Sequence, residues 1–124
     1  MENITLLAIL FFSHYLVDYT ALGNTIEING SKYLTALIHS WIHSIIMALI
    51  LFGYSFLILE LKTYKILNAI LIQLFSHFLI DASVGIINHL WFRANTKSNQ
   101  TLILGYDQFM HSLVLILIYN LITN

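Results

Sequence analysis

Phe75-Ser76-His77-Phe78-Leu79-Ile80-Asp81 repeats, almost position for position, the earlier stretch Phe12-Ser13-His14-Tyr15-Leu16-Val17-Asp18. Each is an apolar run broken by a His and an Asp four residues apart, and the match continues to Thr20 and Ser83. A second pair of stretches follows the first. His39-Ser40-Trp41-Ile42-His43-Ser44-Ile45 parallels Asp107-Gln108-Phe109-Met110-His111-Ser112-Leu113. The offsets are 63 residues between His14 and His77 and 68 between His43 and His111, so the two units differ mainly in the length of their internal connection. A two-helix unit repeated once keeps its direction through a membrane, which makes the halves a parallel repeat about an axis along the membrane normal. The expected fold is therefore all-α: a four-helix transmembrane bundle built from two pseudo-symmetric two-helix repeats, about residues 4–59 and 64–122, in a single domain. Chance similarity between apolar helices of small alphabet is the competing explanation. The matching polar positions count against it.

Composition agrees with a lipid setting. The chain of 124 residues is 59% hydrophobic and 9% charged, with a mean hydropathy of +0.83; soluble domains carry about 25% charged residues. Cysteine is absent, which excludes disulfides, thiolate metal sites and thiol catalysis. A net charge of −1 with five Lys and Arg offers no basic patch for nucleic acid. Met1-Glu2-Asn3 lacks the positive start of a secretory signal, so the first apolar stretch is expected to remain in the mature protein.

Four apolar segments stand out, at residues 4–20, 33–59, 64–92 and 102–122. A bilayer core needs about 20 helical residues, so all four can span, the first only just. The separators read as turns: 23–32, 60–63 and 93–101. Tyr33, Tyr64, Trp91 and Tyr106 lie near segment ends, where amphipathic rings favour the headgroup region. Every Glu, Lys and Arg falls at or outside a segment end, whereas all three Asp fall inside. Basic residues flank both sides, so the positive-inside rule sets no orientation.

Each unit supplies two polar pairs at i,i+4: His14 with Asp18, His39 with His43, His77 with Asp81, and Asp107 with His111. Residues four apart share a helix face. In an up-down bundle these pairs fall on the same side of the membrane, so eight groups from four helices can meet in one layer. Three Asp in hydrocarbon cost about 2.5–3.5 kcal/mol each and call for pairing, a cavity or a cation. Five His with three Asp suit a divalent metal, zinc first with manganese or iron as alternatives, and two ions with about four ligands each is the simplest count. The metal-free alternative is a hydrogen-bond network that holds the helices together. Gln73, one turn before His77, and Gln108, beside Asp107, are candidates for hydrogen bonding behind the ligands. Ser13, Ser40, Ser44, Ser76 and Ser112 are expected to bond their own backbones, and His89 reads as interfacial.

With these pairs and Leu37-Ile38-His39 before His43, the chain resembles, over nearly its whole length, the domain of unknown function 3307 family. That resemblance implies a small multi-span protein of bacteria or their phages, in the bacterial inner (cytoplasmic) membrane. The sequence departs from the family pattern after Asp18, where Tyr19-Thr20-Ala21 replaces Leu-Gln, and after Asp81, where no Lys follows shortly. A looser likeness to membrane-bound metal-dependent hydrolases is analogy only.

Three functions are expected in turn. The first is a metal-dependent hydrolase acting on a phosphoester or lipid headgroup, with Asp18 or Asp81 as ligand or base. The second is a non-enzymatic phage or accessory protein whose metal holds the fold, with a host membrane protein or a second copy as partner. The third, ion or metal transport, is disfavoured because the segment halves away from the site hold one polar residue, Asn68, so no polar path crosses.

Overall fold

The computed structural model describes residues 2–20, 32–58, 60–89 and 96–124. Four helices follow one another: α1 (Glu2–Asp18), α2 (Lys32–Leu57), α3 (Thr63–Ile87) and α4 (Lys97–Thr123), with no strand among the described residues. Each helix packs on two neighbours, α1 on α2 and α4, and α3 on α2 and α4, which closes a four-membered ring. Neighbours run antiparallel. The end of α1 meets the start of α2, where His43 Nε2 lies 2.9 Å from Asp18 Oδ1. At the opposite end of the molecule Lys65 Nζ, at the start of α3, donates to the Ile122 carbonyl of α4 at 2.9 Å, satisfying an oxygen the last turn leaves free.

Helices α2, α3 and α4 are long and apolar enough to cross a membrane; α1 is a shorter apolar helix. At 1.5 Å per residue the 17 residues of α1 reach about 26 Å, short of a hydrocarbon core of about 30 Å. The outer surface is what a lipid environment requires: Ile4, Phe12, Leu49, Phe56, Leu71, Phe75, Leu79 and Leu117 all project outward. Inside the ring, Leu6 and Leu10 of α1, Met47, Leu51 and Tyr54 of α2, Ile66 and Ala69 of α3, and Leu115, Ile118 and Ile122 of α4 form one apolar cluster. It fills the half of the bundle away from the His and Asp pairs, and Asn68 is turned outward from it.

The helix ends follow local chemistry. The turn between α2 and α3 is closed by the Ser55 hydroxyl, which accepts from the Leu61 amide at 3.0 Å. Helix α4 begins at Lys97, five residues before the apolar segment the sequence suggests at 102. The Thr96 hydroxyl accepts from the Asn99 amide at 3.3 Å and so caps a polar first turn that hydropathy misses. Tyr106 consequently lies inside α4, not at its end. Tyr33 and Tyr64 are exposed at the starts of their helices, and the expectation for Trp91 falls outside the described residues.

Candidate metal centre

The i,i+4 spacing places His14 and Asp18 on one face at the end of α1, His39 and His43 at the start of α2, His77 and Asp81 in the later half of α3, and Asp107 and His111 in the first half of α4. Antiparallel packing brings these four faces to one level. The neighbouring serines bond to their own helices: Ser13, Ser40, Ser44, Ser76 and Ser112 donate to the carbonyls of Leu10, Ala36, Ser40, Ile72 and Gln108 at 2.5–2.8 Å. That removes them from the site's chemistry and leaves the His and Asp side chains to one another.

One group of donors forms between α1 and α2. His43 Nε2 lies 2.9 Å from Asp18 Oδ1 and 3.1 Å from His39 Nε2, and His39 Nε2 lies 3.4 Å from the same carboxylate oxygen. His77 of α3 completes the group, its ligand atom within 4.8 Å of the other three. A tetrahedral ion with bonds of about 2.0–2.1 Å holds its donors about 3.3 Å apart. The triangle of Asp18, His39 and His43 has that size.

A second group forms between α3 and α4. His111 Nε2 is 3.2 Å from Asp81 Oδ1 and 3.3 Å from Asp107 Oδ1. A third set, His14, His77 and His111, brings three buried imidazoles within 4.8 Å and links the other two groups. His77 lies between His43 and His111, with ring centroids at 3.8 and 4.1 Å.

The donor set fits a cation on a direct observation. His14 Nε2 and His77 Nε2 are buried and make no hydrogen bond, although each points toward its own helix's Asp, His14 Nε2 at 3.2 Å from Asp18 Oδ2 and His77 Nε2 at 3.6 Å from Asp81 Oδ2. A buried polar atom left unpaired costs about 1–3 kcal/mol. Nitrogens and carboxylate oxygens that converge without hydrogen-bond alignment are arranged as ligands of a common ion would be. These His and Asp groups could hold a metal ion.

Two glutamines support the layer. The Gln73 amide, itself buried, lies 3.2 Å from His77 Nδ1. With its oxygen turned to accept from Nδ1–H, a half-turn of the amide, it would fix the tautomer that leaves His77 Nε2 free to ligate. The equivalent place one turn before His14 is Leu10, and His14 Nδ1 has no partner. Gln108 Nε2 donates to Asp18 Oδ2 at 3.0 Å and to Asp107 Oδ2 at 3.3 Å, tying α1 to α4 through two carboxylates.

A cavity of about 190 Å³ opens over this layer, lined by Asp18, His39, His77, Asp81, Asp107 and His111 together with Tyr19, Leu104 and Gln108. Hence the eight residues that the sequence singles out converge, and most of them border open space. His89 is exposed and stands outside the donor groups. Tyr19 and Leu104 are wall residues that the sequence reading missed. Tyr19 directly follows Asp18, but Leu104 carries no signal beyond hydrophobicity.

No curated protein and no solved structure matches the chain. The family model described as "Protein of unknown function (DUF3307)" matches residues 6–124, nearly its whole length, and the chain belongs to that family.

Proposed function

We propose that the protein is a membrane-embedded hydrolase that uses two divalent metal ions, zinc first, to cleave a phosphoester at a lipid headgroup. The observation that carries this reading is the cavity of about 190 Å³ walled by six of the eight candidate ligands. A structural metal site is coordinatively closed, whereas a catalytic one keeps a position for water or substrate.

The duplication in the sequence supports a count of two ions. His14, Asp18, His39 and His43 correspond to His77, Asp81, Asp107 and His111. The first ion would take Asp18, His39 and His43 with His77 from the other repeat. The second would take Asp81, Asp107 and His111, with His14, which is grouped with His77 and His111, standing between the two positions. His77 would complete the first position across the bundle, which would give its unpaired Nε2 a partner.

Depth also supports the reading. Helices of 25–27 residues extend about 38–40 Å, roughly 10 Å more than a hydrocarbon core. About 20 residues counted from the ends of α2 and α4 and from the start of α3 end within one turn of His39, Asp107 and Asp81. That boundary adjoins the layer in which lipid headgroups and their phosphates lie. Asp18, at the end of α1, faces His39 and His43 and so lies at the same level.

Bound metal would lower the pKa of water and neutralise charge on the phosphoryl oxygens. Asp18 or Asp81 would take the proton of the attacking water as its oxygen bonds phosphorus, and would return that proton to the alkoxide oxygen as the ester P–O bond breaks. Purified protein should turn over a member of a phospholipid and phosphoester panel only with metal, and Asp81→Asn should abolish the activity. Metal-loaded protein inert on the whole panel would overturn the reading.

A second reading is a metal that only holds the fold. The burial of His14, His43, His77 and His111 favours it, and it predicts metal without an exchangeable water. In either case the phage or bacterial inner-membrane setting, and any host protein or self-association, remain part of the proposal.

A further inference from the structure

A second cavity, of about 350 Å³, lies between α2 and α3, lined by Tyr33 and Ala36 of α2 and by Asp81, Ala82, Gly85, Ile86 and His89 of the α3 end. Its volume falls within the range of about 300–1,000 Å³ typical of small-molecule sites. It exists because the facing residues are small. A Cβ built on Gly85 would meet nothing within 4 Å. Asp81 lies in the wall of both cavities, so the slot adjoins the candidate metal centre at that residue. From Asp81 to His89 the slot runs about 12 Å along the helix axis.

We propose that this slot is the side port through which a membrane phospholipid presents its phosphate to the metal centre. The proposal rests on the hydrolase reading and adds the substrate class and its route. Three observations converge on that occupant. The slot lies between α2 and α3, two helices long and apolar enough to cross a membrane, which puts bilayer lipid within its reach. By residue count it starts at the hydrocarbon boundary, near Asp81, and extends into the headgroup layer. Its walls are mainly apolar, and Tyr33 and His89 at the end away from Asp81 offer polar groups to a lipid headgroup. The cavity beside Asp18, Asp107 and Gln108 is a separate mouth with a polar rim. A water-soluble phosphoester would use that mouth and bypass the slot.

The test uses full-length protein in nanodiscs, with a diazirine-bearing phosphatidic acid as probe and bis(p-nitrophenyl) phosphate as the soluble comparison. Gly85→Phe projects a ring into the slot, and Ala36→Phe does so from the opposite wall should the first variant fold poorly. Photolabelling of residues 82–89 should fall at least about tenfold in either variant. Phospholipid turnover should fall in parallel, with zinc content and bis(p-nitrophenyl) phosphate turnover unchanged. Labelling that persists in both variants, or that is spread evenly over the lipid-facing helices, would overturn the port. Failure of the hydrolase reading looks different: neither substrate turns over, while labelling remains confined to the slot and sensitive to Gly85→Phe, which supports the port as a lipid-binding site.

Discussion

His43 Nε2 and Asp18 Oδ1 approach to 2.9 Å across 25 residues of chain and two helices. The same oxygen is 3.4 Å from His39 Nε2, so one carboxylate faces two imidazoles of a single α2 face. A lone oxygen can accept from both nitrogens only if both carry protons, whereas it can share one cation with them without that demand.

Metal content follows from this arrangement. Elemental analysis of detergent-purified protein should find up to two ions per chain, and Asp18→Ala and Asp107→Ala should each remove about one. His77→Ala should reduce occupancy chiefly at the position of Asp18, His39 and His43, the donor group that His77 completes. Wild-type protein carrying no more metal than a His77→Ala, Asp81→Ala double variant would refute the metal centre.

Gln73 should set affinity without contacting the ion. Gln73→Leu removes the hydrogen bond at His77 Nδ1, 3.2 Å away, and should weaken zinc binding about 10–100-fold in a chelator competition. Gln73→Glu, which keeps an acceptor, should retain more of the affinity than Gln73→Leu. Equal affinity in all three proteins would show that the amide orients nothing.

Metal and fold should be coupled. Zinc at about 100 times its dissociation constant adds about 2.7 kcal/mol to the folded state, so a chelator should lower Tm in detergent. His43→Ala, a change at one of the two positions, should remove about half of that response. A wild-type Tm indifferent to chelation would detach the site from stability.

The apolar half should behave independently of the site. Leu51 and Ile118 are fully buried in the cluster away from the His and Asp layer. Leu51→Ala should cost about 2–5 kcal/mol through cavity formation. Metal stoichiometry below the new Tm should stay at the wild-type value.

Thr96 offers a local check on the extended α4. Thr96→Ala removes the acceptor for the Asn99 amide and should cost about 1 kcal/mol. Faster amide exchange confined to the first turn of α4 would report it, whereas unchanged exchange would mean that the cap contributes nothing there.

The apolar segments and the duplicated polar pairs were legible because membrane helices announce themselves by length and hydropathy, and because a His four residues from an Asp must share a helix face. The start of α4 was not legible. Residues 97–101 are polar, and only the Thr96 hydroxyl and its Asn99 partner mark them as helical. Tyr19 was read as a neighbour of Asp18, not as a cavity wall, since no spacing rule separates the two.

By itself the sequence determined that four helices carry eight His and Asp groups near one end, because i,i+4 periodicity and the lipid cost of charge leave those residues little freedom. Which groups share an oxygen or face an unpaired nitrogen was decided only by tertiary structure. The antiparallel ring sets the rotation of each helix against its neighbours, and a rotation changes every distance in the layer while leaving the sequence pattern untouched. The same packing opened a slot beside Asp81, where small residues of two helices face each other across a gap.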